Sequence, residues 1–305
     1  MKHLISLPEL QPGDLAEILN CTADLKVEFA RGERPPLLRN RVLTQIFEKP
    51  SLRTRVSFEA AVIQLGGSSI FLTSAEAGLE GRESLPDVAR VVSSYSDVIV
   101  TRTFSQAAIA EIARNSSCPV INGLSDGRHP CQALTDVFTL KEVFGDVEGR
   151  RFVFIGDGNN VATSLAIASA MLEMPMTICT PPEYVLKEEV LADLRRQFPN
   201  ADITTTTKPQ QAVEQADVVY TDVWASMGQE SEAKERQQIF APYQVNAELM
   251  AHAPAECRFM HCLPARRGTE VTDEVIDGPQ SLVFLQAENR MHLAKGLIVW
   301  LLDAR

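Results

Sequence analysis

Val42-Leu43-Thr44-Gln45-Ile46-Phe47-Glu48-Lys49-Pro50-Ser51-Leu52-Arg53-Thr54-Arg55 runs from a buried strand into the start of a helix. The apolar run 42–47 reads as a short strand. Pro50 breaks regular structure, and Ser51 is a good N-cap for a helix that Val56, Phe58 and Val62 begin and Gly66-Gly67 would end. Ser51, Arg53 and Thr54 therefore stand where unbonded backbone N–H groups and the positive end of a helix dipole gather. Two hydroxyls and a guanidinium at one helix start suit a tetrahedral phosphate. A plain capped helix with a solvated arginine shares the same local pattern.

Outward from this stretch, short apolar runs alternate with helical patterns. Strands are expected at 69–73, 97–100 and 119–121, then at 152–155, 177–179, 203–206, 218–221, 259–261 and 282–284. Residues 10–32 read as a helical lead-in. Such alternation implies βαβ units and parallel sheets. Gly145-Asp146-Val147-Glu148-Gly149 reads as a linker. The expected fold class is α/β, with two doubly wound parallel-sheet domains, 1–146 and 147–286, and a cleft between them. A C-terminal segment, 287–305, with an apolar helix near 292–302, is expected to pack back on the first domain.

The 305 residues suffice for two domains with real cores. With 29 Lys and Arg against 40 Asp and Glu, the net charge of −11 argues against general nucleic-acid binding, which needs a basic face. A local basic pocket for a small anion stays compatible with it. No stretch approaches the ~20 apolar residues of a membrane span, and Met1-Lys2-His3-Leu4 lacks a signal-peptide core. The cysteines at 21, 118, 131, 179, 257 and 262 form no Cys-x-x-Cys pair, so a reducing, cytoplasmic setting is expected.

Ligands in open α/β sheets gather at the carboxyl ends of strands. In the first half those ends lead to Ser51-x-Arg53-Thr54, to Arg102, and to His129 and Gln132. In the second half they lead to Asp157-Gly158-Asn159-Asn160, to Asp222 with Ser226-Met227-Gly228 behind it, and to His261-Cys262-Leu263-Pro264. Arg290 follows the run expected as the last strand. Cations and neutral donors suit an anion and a carbonyl. Carboxylates, amides and a thiol suit an amine or amino acid. His129 and Gln132 have the spacing to aim two donors at one carbonyl oxygen. Gly156-Asp157-Gly158 lacks the third glycine and the later acid of a dinucleotide fingerprint. The pairs His129/Cys131 and His261/Cys262 permit a zinc reading, but structural zinc sites favour other spacings.

Together, Ser51-x-Arg53-Thr54-Arg55, His129-Pro130-x-Gln132, Asp222-x-x-x-Ser226-Met227-Gly228 and His261-Cys262-Leu263-Pro264 resemble the signature set of the ornithine carbamoyltransferase family. The likeness runs from about residue 25 to the C-terminus. Singly, only Asp-x-x-x-Ser-Met-Gly and His-Cys-Leu-Pro are specific. The related aspartate enzymes usually carry His-Pro-Leu-Pro where Cys262 stands and lack the Ser-Met-Gly loop.

The resemblance implies transfer of a carbamoyl group from carbamoyl phosphate to L-ornithine, giving L-citrulline and phosphate, within arginine metabolism. It places carbamoyl phosphate on Ser51, Arg53, Thr54, Arg102, His129, Gln132, Cys262, Leu263 and Arg290. It places ornithine on Asn160, Asp222, Ser226 and Met227. Arg102, His129, Gln132, Asp222, Cys262 and Arg290 would carry the chemistry. It also implies a homotrimer, with no metal and no cofactor. Two positions depart from the family pattern. Leu52 stands where a threonine is usual, and Ala75 stands in a loop from which a neighbouring subunit often lends a polar residue. Two rival readings share these residues. One is a carbamoyltransferase for another amine, such as an N-acylated ornithine or putrescine, and the other is a phosphate-ligand sensor of the same fold.

Overall fold

A computed structural model describes residues 1–11, 13–79, 81–225 and 230–305. The chain divides into two compact units, Met1–Phe138 with Glu288–Arg305, and Thr139–Ala287.

The first unit begins with helix α1 (Asp14–Ala30). It continues through β1 (Val42–Phe47), α2 (Leu52–Gln64), β2 (Ser68–Thr73), α3 (Leu85–Tyr95), β3 (Val98–Arg102), α4 (Gln106–Asn115), β4 (Val120–Leu124) and the start of α5 (Pro130–Phe144). The strands form a parallel sheet in the order β2-β1-β3-β4. β3 is buried along its whole length, as a strand covered on both faces must be. Ile46, Ile99 and Val120 from the sheet pack with Ala89, Ile109 and Ile112 from α3 and α4. Three helices after strands start on serine caps: Ser51 accepts Thr54 N–H, Ser84 accepts Asp87 N–H, and Ser105 accepts Ala108 N–H.

The second unit contains β5 (Phe152–Ile155), α6 (Asn160–Met171), β6 (Met176–Cys179), α7 (Glu188–Gln197), β7 (Ile203–Thr206), α8 (Pro209–Val213), β8 (Val218–Thr221), α9 (Ala233–Phe240), α10 (Ala247–Met250), β9 (Arg258–His261) and α11 (Asp273–Ile276). Its sheet is parallel in the order β7-β6-β5-β8-β9. Val153, Ile155, Val219 and Phe259 from three of these strands share one core. α6 is buried from Val161 to Ala170, which fits its apolar, alanine-rich sequence.

The segment 282–284 differs from expectation. It is the start of the last helix, α12 (Val283–Leu301), and not a strand. Pairing with β9 stops at Ser281, where one isolated bridge joins Phe259, and Leu282 N–H donates to Phe259 O at 2.8 Å. A three-residue apolar run has no period, so it carries no signal that separates a strand from the buried first turn of a helix. Arg290 consequently lies inside a helix.

From Glu288 onward α12 belongs to the first unit. A Cβ on Gly296 would sit 2.8 Å from the Thr22 backbone of α1, so only glycine permits this approach. Trp300 Nε1 donates to Glu17 at 3.0 Å, and Lys26 Nζ donates to Asn289 Oδ1 at 2.6 Å.

Candidate active site

In the first unit, strand order reverses between β1 and β3, and that is where α/β sheets place ligands. The register pairs Phe47 with Arg102 and Arg102 with Leu124, so the carboxyl ends of β1, β3 and β4 are level. Backbone and side-chain bonds tie the three following loops together. Glu48 N–H donates to Arg102 O at 2.8 Å, and Phe104 N–H donates to the Glu48 carboxylate at 2.7 Å. Lys49, buried, pairs with Asp126 and lies 4.0 Å over the Phe104 ring.

On this frame sit the expected phosphate residues. Ser51 Oγ donates to Thr54 Oγ1 at 3.0 Å, and Arg290 reaches the same oxygen at 2.9 Å. Two donors onto one hydroxyl leave Thr54 its own O–H to offer an anion. A second guanidinium nitrogen of Arg290 bonds Gln132 Oε1, and Gln132 Nε2 donates to Asp136 at 2.8 Å. The amide of Gln132 is therefore oriented from both sides, and one Nε2–H remains to meet a carbonyl. Arg53 is half-buried on the first turn of α2. Leu52, beside it, is 73% exposed.

His129 is buried, and its pKa is held well below 6.5, first by burial and then by the Arg290 and Arg102 charges. Its imidazole is neutral at physiological pH. Arg102, His129 and Arg290 thus form a cationic group with one neutral donor, a set suited to stabilising an oxyanion.

In the second unit the reversal falls between β5 and β8. Ile155 pairs with Thr221, and Thr221 with His261, so Asp222 and Cys262 leave neighbouring strands at the same level. Cys262 Sγ lies 3.1 Å from Asp222 Oδ1 as a donor. Asn159 Nδ2 donates to Asp222 Oδ2 at 2.9 Å, while its Oδ1 caps α6 by accepting from Val161 and Ala162. Asp222, buried, thus has both oxygens engaged in fixing its plane. Arg236 of α9 bonds Asp157 at 2.8 Å and Trp224 O at 3.0 Å, which anchors the loops after β5 and β8. Burial raises the Asp157 pKa, against the Arg236 charge.

Asp222, His261 and Cys262 offer ligand atoms within 4.8 Å of one another. His261, however, is already committed. Its Nδ1 accepts Leu263 N–H at 2.9 Å, so its Nε2 carries the proton and donates to buried Glu270 at 3.2 Å. The group reads as a hydrogen-bonded wall that holds Cys262 and Leu263. The glycine-rich turn at Gly158 likewise has a packing reason. A Cβ there would lie 2.6 Å from Leu186 N and 2.8 Å from Tyr184 O.

The structure thus joins Ser51, Thr54, Gln132 and Arg290 directly and groups Arg102 and His129 with Arg290. It joins Asp222 and Cys262. Asn160 opens α6, but its neighbour Asn159 makes the bond to Asp222. Ser226 and Met227 lie outside the described residues. Sequence reasoning missed Asn159, Asp136, Glu270 and Arg236. An N-cap signal marked Asn159, and i, i+4 spacing from Gln132 marked Asp136. Nothing local marked Arg236 or Glu270.

Two parallel-sheet units, one gathering cations and neutral donors and one an oriented carboxylate and thiol, fit a two-domain α/β transferase. The chain belongs to the aspartate/ornithine carbamoyltransferase family: residues 2–142 match its carbamoyl-P binding domain and residues 148–301 its Asp/Orn binding domain. It is 46% identical over 304 residues to the ornithine carbamoyltransferase of Anoxybacillus flavithermus, covering 99% of this chain and 96% of that one. It is 47% identical over 300 residues to that of Bacillus thuringiensis subsp. konkukian, covering 98% and 93%. The solved ornithine carbamoyltransferase from Pyrococcus furiosus superposes with a TM-score of 0.95 at 43% identity, covering 99% of this chain and 97% of that one. Among the described residues, no helix is long and apolar enough to cross a membrane.

Proposed function

We propose that this chain transfers the carbamoyl group of carbamoyl phosphate to the side-chain amine of L-ornithine, giving L-citrulline and phosphate. The observation that carries this reading is the pairing of Cys262 with Asp222, itself oriented by Asn159. A thiol beside a carboxylate suits an alkylamine, and the relatives that share the whole chain length are named for ornithine.

Ser51, Arg53 and Thr54 hold the phosphate, with Arg102 and Arg290 balancing its charge. Neutral His129 and the remaining Nε2–H of Gln132 donate to the carbamoyl oxygen. Asp222, Asn160, Ser226 and Met227 hold ornithine, and Cys262 and Leu263 lie at its reacting amine and the carbamoyl group. An alkylammonium has a pKa near ~10, so ornithine must shed a proton before it attacks. Its nitrogen then bonds the carbamoyl carbon, the C–O bond to phosphate breaks, and a second nitrogen proton leaves with phosphate. Positioning and electrostatics suffice for these steps, so the proposal includes no cofactor.

We further propose a homotrimer in a reducing cytoplasm. Leu52, Val56 and Ile63 are 73%, 50% and 60% exposed along one face of α2, beside exposed Ile70 on edge strand β2. Apolar residues repeated along one helix face and continued onto a sheet edge fit coverage by a second copy. No cysteine lies in a disulfide. The test is a citrulline assay with ornithine varied at saturating carbamoyl phosphate, repeated with N-acetylornithine, putrescine and aspartate. Product from ornithine alone supports the proposal. Product only from another amine, or from none, overturns it.

A further inference from the structure

Asp136 is fully buried on α5, one turn beyond Gln132, in a pocket otherwise built of cations and neutral donors. A carboxyl group beside a phosphate site works against anion binding by simple charge. Its geometry supplies a different role. Gln132 Nε2 donates to Asp136 Oδ1 at 2.8 Å, which forces Gln132 Oε1 to the other side. That oxygen meets Arg290, and Arg290 continues to Thr54 Oγ1 at 2.9 Å. Turning the Gln132 amide over would set its NH₂ against the guanidinium and its oxygen against the Asp136 oxygen. Both contacts would then be repulsive.

We propose that Asp136 is a positioning residue that sets the donor–acceptor polarity of the chain Gln132–Arg290–Thr54, and so aims Arg290 at the phosphate. Arg290 can donate to Gln132 only while Gln132 presents oxygen, and Gln132 presents oxygen because Asp136 takes its NH₂. This inference rests on the proposed carbamoyl transfer.

The test is a double-mutant cycle with Asp136→Asn and Gln132→Glu. The asparagine of Asp136→Asn offers Gln132 either a donor or an acceptor, so one of the two restraints on the amide is lost and only Arg290 still opposes the flipped sense. The glutamate of Gln132→Glu sets a second carboxyl group against Asp136. Together the two substitutions restore a matched pair. The introduced asparagine NH₂ donates to the introduced carboxylate, which accepts from Arg290 on its other side. Each single variant is expected to raise the KM for carbamoyl phosphate at least about tenfold, the effect of one mispaired buried polar contact, with the ornithine KM within about twofold. Gln132→Glu also lowers kcat, with and without Asp136→Asn, because it removes the donor to the carbamoyl oxygen. The double variant is expected to be at least about tenfold better than the product of the single effects. An effect of Gln132→Glu on the carbamoyl phosphate KM that is the same with and without Asp136→Asn overturns the proposal, as does an equal rise in both KM values.

Thermal melting with and without inorganic phosphate repeats the cycle without turnover. The phosphate-induced rise should shrink in each single variant and return in the double. If Asp136→Asn does not fold, the double variant must fold, and a double variant equally unfolded overturns the proposal. Failure of the unaltered chain to make citrulline would sink the carbamoyl-transfer reading, and the phosphate melting cycle would still decide the role of Asp136.

Discussion

Asn159 Nδ2 lies 2.9 Å from Asp222 Oδ2, and the same side chain caps α6 through its oxygen. One residue therefore fixes both a helix start and the plane of the carboxylate assigned to ornithine. Asn159→Ala should lower stability by about 1 kcal/mol through the lost cap and raise the ornithine KM about tenfold through the freed carboxylate. Asn159→Asp should keep the cap yet set carboxylate against carboxylate, so ornithine kcat/KM falls while stability changes less. Steady-state kinetics and thermal melting check both. Unchanged ornithine kcat/KM in Asn159→Ala would contradict the orienting role.

Arg290 uses two guanidinium nitrogens on two different partners, Gln132 and Thr54. Lysine keeps the charge but cannot span both. Arg290→Lys should reduce carbamoyl phosphate kcat/KM by roughly 10–100-fold, on the scale of one or two charge-assisted bonds. Its ornithine KM should change little. A variant that binds carbamoyl phosphate normally would show that charge alone matters at this position.

Two histidines are held neutral by burial, His129 well below 6.5 and His292 at about 3. Lys295, Lys26 and Arg34 also disfavour the His292 cation, while Glu288 stands 3.6 Å from its Nε2. A folded pKa below the unfolded value means that the unfolded chain takes up protons first. Stability is therefore fully present above about 6.5 and falls as pH drops toward the folded value. Each such group contributes a slope of about 1.4 kcal/mol per pH unit in that window. The stability gap between the unaltered chain and His292→Leu should shift by up to about 2 kcal/mol between pH 6.5 and 5, read from urea midpoints. A parallel pH dependence in both chains would refute the assignment. For catalysis, neutral His129 predicts no activity limb near 6.5 from its own titration.

The exposed apolar face of α2 gives the fourth test. Ile63→Asp should lower the assembled mass measured by light scattering, because a buried charge at an interface is costly. Retention of the parent mass would mean that this face is not where copies meet.

Much of this fold was legible because its signals are local. The strands at 42–47, 152–155, 203–206 and 218–221 coincide with the observed ones, and Ser51 caps α2 as its position implied. The segment 282–284 misled because three apolar residues have no period, and the backbone pairing that would have made them a strand ends at Ser281. Asn159 and Asn160 follow the same strand, and only the turn geometry shows that it is Asn159 whose side chain bonds Asp222.

By itself, the sequence determined the alternation of strand and helix, the caps that open helices at anion-binding ends, and the order in which polar residues follow strands. These depend on side-chain chemistry within a few residues of one another. Only the tertiary structure decided that Ile155, Thr221 and His261 share a register that brings Asp222 to Cys262. Only it brought Arg290 back across 158 positions of chain to Gln132, with the amide turned to receive it. Such pairings depend on sheet register and helix packing, which sum many weak contacts over the whole unit and leave no mark at either partner alone.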